Sequence, residues 1–87
     1  MEVKEAVHTA LRHAAVIFED QQISDLCLEE VQYDDVADEW SITVGFTRPL
    51  ARTGALAAVL PPFGPRVYKV VRVTQDGSLR SVMNRGE

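Results

Sequence analysis

His8 and His13 are the only histidines of the chain, and they stand five positions apart. On a helix that spacing turns one ring about 140° from the other, so the pair cannot close on one metal ion as an i, i+4 pair does. Cys27 is the single cysteine. It permits no internal disulfide, and with two scattered histidines it makes no zinc framework. It stands in an alternating run with no basic neighbour to hold a thiolate, so it reads as a small apolar filler of the core. Asp34, Asp35, Asp38 and Glu39 offer the carboxylates that calcium takes. They lack the alternating ladder and glycine of an EF-hand loop, so a solvated turn is expected. Arg48, Arg52 and Arg66 flank an apolar stretch and would form an anion site if that stretch folded back. There is no glycine-rich phosphate loop and no basic stripe interleaved with aromatics. The chain therefore reads as non-catalytic, with no metal site and no cofactor.

Composition narrows the class. Eighty-seven residues support one hydrophobic core, so residues 1–87 form a single domain whose modest size makes oligomerisation plausible. Hydrophobic residues at 46% and charged residues at 25% are those of an ordinary globular chain. One cysteine makes the cytoplasm the expected compartment. The acids in Met1-Glu2-Val3-Lys4-Glu5 stand where a signal peptide carries bases, and no apolar run approaches the roughly 20 residues that span a bilayer.

The net charge of −4 disfavours nucleic acid as a partner, and its distribution says more. Nine acids and no Lys or Arg lie between Glu19 and Glu39, whereas residues 40–87 hold seven bases and two acids. Such a split either places the acids in solvent beside local bases or gives an electrically polar molecule. In the second case the acidic part recruits a basic partner, or the opposite end of another copy.

The elements that position these residues follow from hydrophobic period. Val3, Val7, Ala10, Leu11, Ala14, Ile17 and Phe18 recur at helical spacing, which predicts an amphipathic helix over residues 2–19 whose alanines let it sit close to a sheet. Leu26 to Tyr33 alternates but changes phase, which predicts a strand with a bulge near Glu29-Glu30. Trp40, Ile42, Val44 and Phe46 alternate with Ser41, Thr43, Gly45 and Thr47 as a half-buried strand facing the helix. Val67–Val73 and Ser78–Met83 form a further pair around Asp76-Gly77, whose residue types suit a tight hairpin. The expected fold is α+β: one N-terminal helix packed on a four-stranded antiparallel sheet.

Residues 48–65 interrupt this pattern. They contain all four prolines, yet Leu50, Leu56, Val59, Leu60 and Phe63 make the connection far more apolar than a solvated loop. With Arg48 and Arg52 these five are the candidate partner-binding residues, as a docking element for another protein or a second subunit; the competing reading is an internal flap over the sheet.

The helix and the run Tyr68-Lys69-Val70-Val71-Arg72-Val73-Thr74-Gln75-Asp76-Gly77-Ser78-Leu79-Arg80-Ser81-Val82 resemble the PepSY-type domain, with Gly77-Ser78-Leu79-Arg80-Ser81-Val82 in the place of that family's returning strand. The resemblance implies a non-catalytic regulator or inhibitory module that acts by binding. Together these readings point to a protein-interaction or regulatory module of adaptor, immunity or inhibitor type. The alternative is a small-molecule-binding protein or minor enzyme with a pocket between helix and sheet.

Overall fold

The computed structural model describes residues 1–49 and 64–85. Helix α1 (Val3–Ile17) is followed by a single 3₁₀ turn (Glu19–Gln21) and four strands, β1 (Ser24–Asp34), β2 (Glu39–Thr47), β3 (Val67–Thr74) and β4 (Leu79–Asn84). The strands form one antiparallel meander in the order β1-β2-β3-β4, with α1 across one face. This is the α+β arrangement expected from the hydrophobic pattern.

Ala6, Ala10 and Ala14, four residues apart, are fully buried and form the line along which α1 meets the sheet. Side chains this small bring the helix close, and the larger neighbours Val7 and Leu11 pack beside that line rather than on it. Val3 and Ile17, part of the apolar stripe in sequence, are 47% and 44% exposed. From the sheet, Ile42, Val44 and Phe46 of β2 and Val71 and Val73 of β3 complete the core, with Phe18 closing it against Phe46 at 5.0 Å between ring centroids. α1 lies over β1, β2 and β3, which leaves β4 at the margin of its footprint.

The turns are built by short polar side chains. Between β1 and β2, the Asp34 carboxylate accepts hydrogen bonds from the backbone N–H groups of Val36 and Ala37, each at 3.1 Å. Asp38 takes the left-handed φ of +58° that reverses the chain. Between β3 and β4, Gly77 supplies φ of +89°, a conformation that a side chain would strain, and its N–H donates to the Thr74 carbonyl. The turn is tied to the helix, since a ring nitrogen of His13 lies 3.0 Å from the Gly77 carbonyl.

β1 carries two register shifts against β2, one between Ser24 and Cys27 and one between Leu28 and Glu30. The second is the bulge that the phase change of its side chains requires. The first is made possible by Asp25, at φ of +57°. From Glu30 to Asp34 the pairing with β2 is regular.

Candidate interaction surface

The face of the sheet away from α1 presents the alternate residues of each strand. Register defines its rows: Asp34 and Glu39 with Thr74; Gln32, Ser41, Arg72 and Ser81; Glu30, Thr43, Val70 and Met83; Cys27, Gly45 and Tyr68. This face sets charged and polar side chains beside Val70, Met83 and Tyr68, and two ion-paired clusters organise it.

At the hairpin end, Arg72 reaches Asp34 Oδ2 at 2.9 Å and Glu39 Oε1 at 3.1 Å. Arg80 Nε engages the second Glu39 oxygen at 3.0 Å. Glu39 is buried, so these two guanidinium groups supply the charge that its carboxylate loses with water. The Ala37 N–H and the Arg72 guanidinium, followed by the Val36 N–H, hold the Asp34 carboxyl below its usual range against the opposing effect of burial.

At the other end, Arg66 lies over Gly45. One terminal nitrogen is 3.1 Å from Glu29 Oε2, 3.0 Å from Cys27 Sγ and 3.2 Å from the Asp25 carbonyl. The close approach depends on Gly45 having no side chain, because a Cβ there would stand 2.7 Å from Glu29 Oε2 and 2.8 Å from the Arg66 nitrogen. Cys27 is therefore exposed on this face beside a guanidinium, and the reading of it as a core filler is corrected. The cause is the register shift before it, which places Cys27 opposite Gly45 and away from the helix.

Of the candidate partner-binding residues, Arg48 is half-buried with its guanidinium 5.7 Å from the centroid of Phe46. Its carbonyl accepts a hydrogen bond from Gly64 N–H at 2.9 Å. Leu50, Arg52, Leu56, Val59, Leu60 and Phe63 lie outside the described residues. His8 is exposed and His13 serves the hairpin, and no group of three metal-ligating side chains occurs among the described residues.

The two outer strands differ in charge. Among the described residues neither pairs with a further strand. β1 carries Asp25, Glu29, Glu30 and Asp34 and no base, while β4 carries Arg80 and no acid and runs on to Arg85, whose guanidinium stacks 4.6 Å from the Tyr68 ring. Arg80 is 67% exposed and meets Glu39 through Nε alone. Glu30 makes no ion pair among the described residues and lies on the same face. Apolar side chains show at both edges too, with Tyr33 42% exposed on β1 and Leu79 38% exposed on β4. The acidic run was visible in sequence, but that four of its nine acids fall on an outer strand follows only from the strand order.

No family model, curated protein or solved structure matches this chain. No helix among the described residues is long and apolar enough to cross a membrane.

Proposed function

We propose that the protein is a non-catalytic interaction module of adaptor, immunity or inhibitor type, and that it binds an extended, basic protein segment along the outer edge of β1. The observation that carries this reading is the regular stretch Glu30–Asp34, an outer strand whose free edge pairs with no other strand among the described residues and which bears acids on the face away from the helix. An added strand gains main-chain hydrogen bonds from such an edge, and alternate side chains on it set specificity. Bases on the incoming strand meet Glu30 and Asp34, which both steers encounter and fixes register.

The rest of the molecule supports binding over small-molecule chemistry. Between α1 and the sheet, Ala6, Ala10, Ala14, Ile42, Val44, Val71 and Val73 are fully buried, so tightly packed side chains occupy the place where the alternative reading puts a pocket. The grooves among the described residues are open surface features, such as the one lined by Ile17, Phe18, Lys69, Val82, Met83 and Asn84. A cytoplasmic setting belongs to the same reading, as does the regulatory role implied by the PepSY-like hairpin.

The test is a titration of isotope-labelled protein with two synthetic strands, one alternating lysine and valine, the other alternating glutamate and valine. Amide shifts along Glu30–Asp34 with the basic peptide, weakened by salt and absent with the acidic one, are the expected result. No shifts with either peptide at millimolar concentration would remove edge binding from consideration.

A further inference from the structure

We infer that the basic strand accepted by β1 is β4 of a second copy of this chain, added head to tail so that the sheet continues from molecule to molecule. The inference rests on the edge-binding reading above and names its partner.

Direction comes first. Each successive strand of the meander is antiparallel to the one before it, so β1 and β4 run oppositely. A copy displaced along the sheet therefore sets its β1 antiparallel to the first molecule's β4, with both helices on the same side. Register comes next. Tyr33 shares a row with Trp40, Val73 and Leu79, Val31 shares one with Ile42, Val71 and Val82, and Gln32 shares one with Ser41, Arg72 and Ser81. Continuing those rows brings Tyr33 of one copy against Leu79 of the next and Val31 against Val82 on the helix side. On the other side it brings Gln32 against Ser81. Continuing the rows sets the neighbour's Glu30 against Met83 and its Asp34 beyond Leu79, so Arg80, the extra residue where the β3–β4 register shifts, stands between these two acids, offset along the strand from each, on the face where all three side chains lie.

Both faces of the junction are thus complementary: apolar beside apolar next to the helix, and on the other face a base between two acids. Natural edges are commonly guarded by bulges or charge against such addition. Here the two irregularities of β1 lie before Glu30, and β4 carries neither proline nor lysine; its one bulge, at Arg80, carries the base that the acids of β1 complement. A head-to-tail contact of this kind is heterologous, so it builds a ring or an open row rather than a two-fold dimer.

The experiment uses the full chain and the charge swaps Glu30→Arg, Arg80→Glu and both together, with sedimentation velocity over a range of concentration and salt. Circular dichroism on each protein checks folding; Glu30 is exposed and unpaired among the described residues, so Glu30→Arg remains informative if Arg80→Glu fails to fold. The wild type is expected to grow in mass with concentration at low salt and to lose this at 0.5 M salt. Each single swap should weaken association at least tenfold, and both the double swap and an equimolar mixture of the two singles should restore it. A wild type that stays monomeric to millimolar concentration overturns the inference, as does association that ignores the swaps or stops at a two-fold dimer. If the basic peptide still shifts Glu30–Asp34 while the chain stays monomeric, the edge reading stands and only the second copy is excluded.

Discussion

Phe46 and Trp40 share one strand face, but their surroundings differ. Phe46 is fully buried between Phe18 and the aliphatic core, whereas Trp40 is half-buried beside the Tyr33 ring, 5.0 Å away, and its indole N–H has no partner among the described residues. Phe46→Ala should therefore destabilise by ~3–5 kcal/mol, as large aromatic truncations in cores do, a substantial part of the roughly 5–15 kcal/mol that holds a small domain. Trp40→Ala should cost less, since part of the ring is already in water and its removal relieves an unsatisfied donor. Equal losses in urea midpoint would put Trp40 as deep in the core as Phe46. The inward parity of both was legible from the alternation Trp40, Ile42, Val44, Phe46. Period two gives the face of a strand, but not how much cover each residue along it receives from the helix, so depth was not legible. Cys27 shows the same limit more sharply: after a register shift, parity no longer reports the face at all.

Among the elements, the β3–β4 hairpin was the most legible, because Asp76-Gly77 has one common backbone solution between two alternating runs. Its chemistry adds a pH dependence. Hydrogen bonds from the Thr74 hydroxyl, the Ser78 hydroxyl and the Ser78 N–H hold the Asp76 carboxyl at about 2. A carboxyl depressed on folding contributes stability that is present above its unfolded value and is lost as pH falls through the folded one. The difference in melting temperature between wild type and Asp76→Ala should therefore be full at pH 6, shrink below about pH 4 and be lost as pH falls through about 2. A difference that persists unchanged at pH 2 would mean that Asp76 holds the turn through hydrogen bonds its uncharged carboxyl also makes. β1 was harder to read. The sequence signalled one bulge, near Glu29-Glu30, but the shift at Asp25 rests on a left-handed backbone that no alternation announces. The Arg72–Asp34–Glu39–Arg80 cluster was missed for a related reason. Its members stand 33 and 38 positions from Arg72, and only the combined registers of two hairpins bring them together.

For the whole molecule, the open question of energetics is the apolar connection between β2 and β3. The Arg48 carbonyl and the Gly64 N–H are hydrogen-bonded, so a short turn can join β2 to β3 without moving either strand. Replacing residues 50–63 by two or three Gly and Asn residues shortens the closed loop by roughly two doublings, a gain of about 1 kcal/mol in closure entropy. Leu50, Leu56, Val59, Leu60 and Phe63 act in the opposite sense if they pack on their own domain, since each buried side chain of this size contributes ~1.5–3 kcal/mol. The two terms differ enough in size for urea unfolding to separate them. If the segment serves a partner, the shortened protein should be as stable as the wild type or slightly more so, with edge-mediated association unchanged. A loss of several kcal/mol would instead assign the five side chains to the domain's own core, and the docking role read from the sequence of residues 48–65 would be withdrawn.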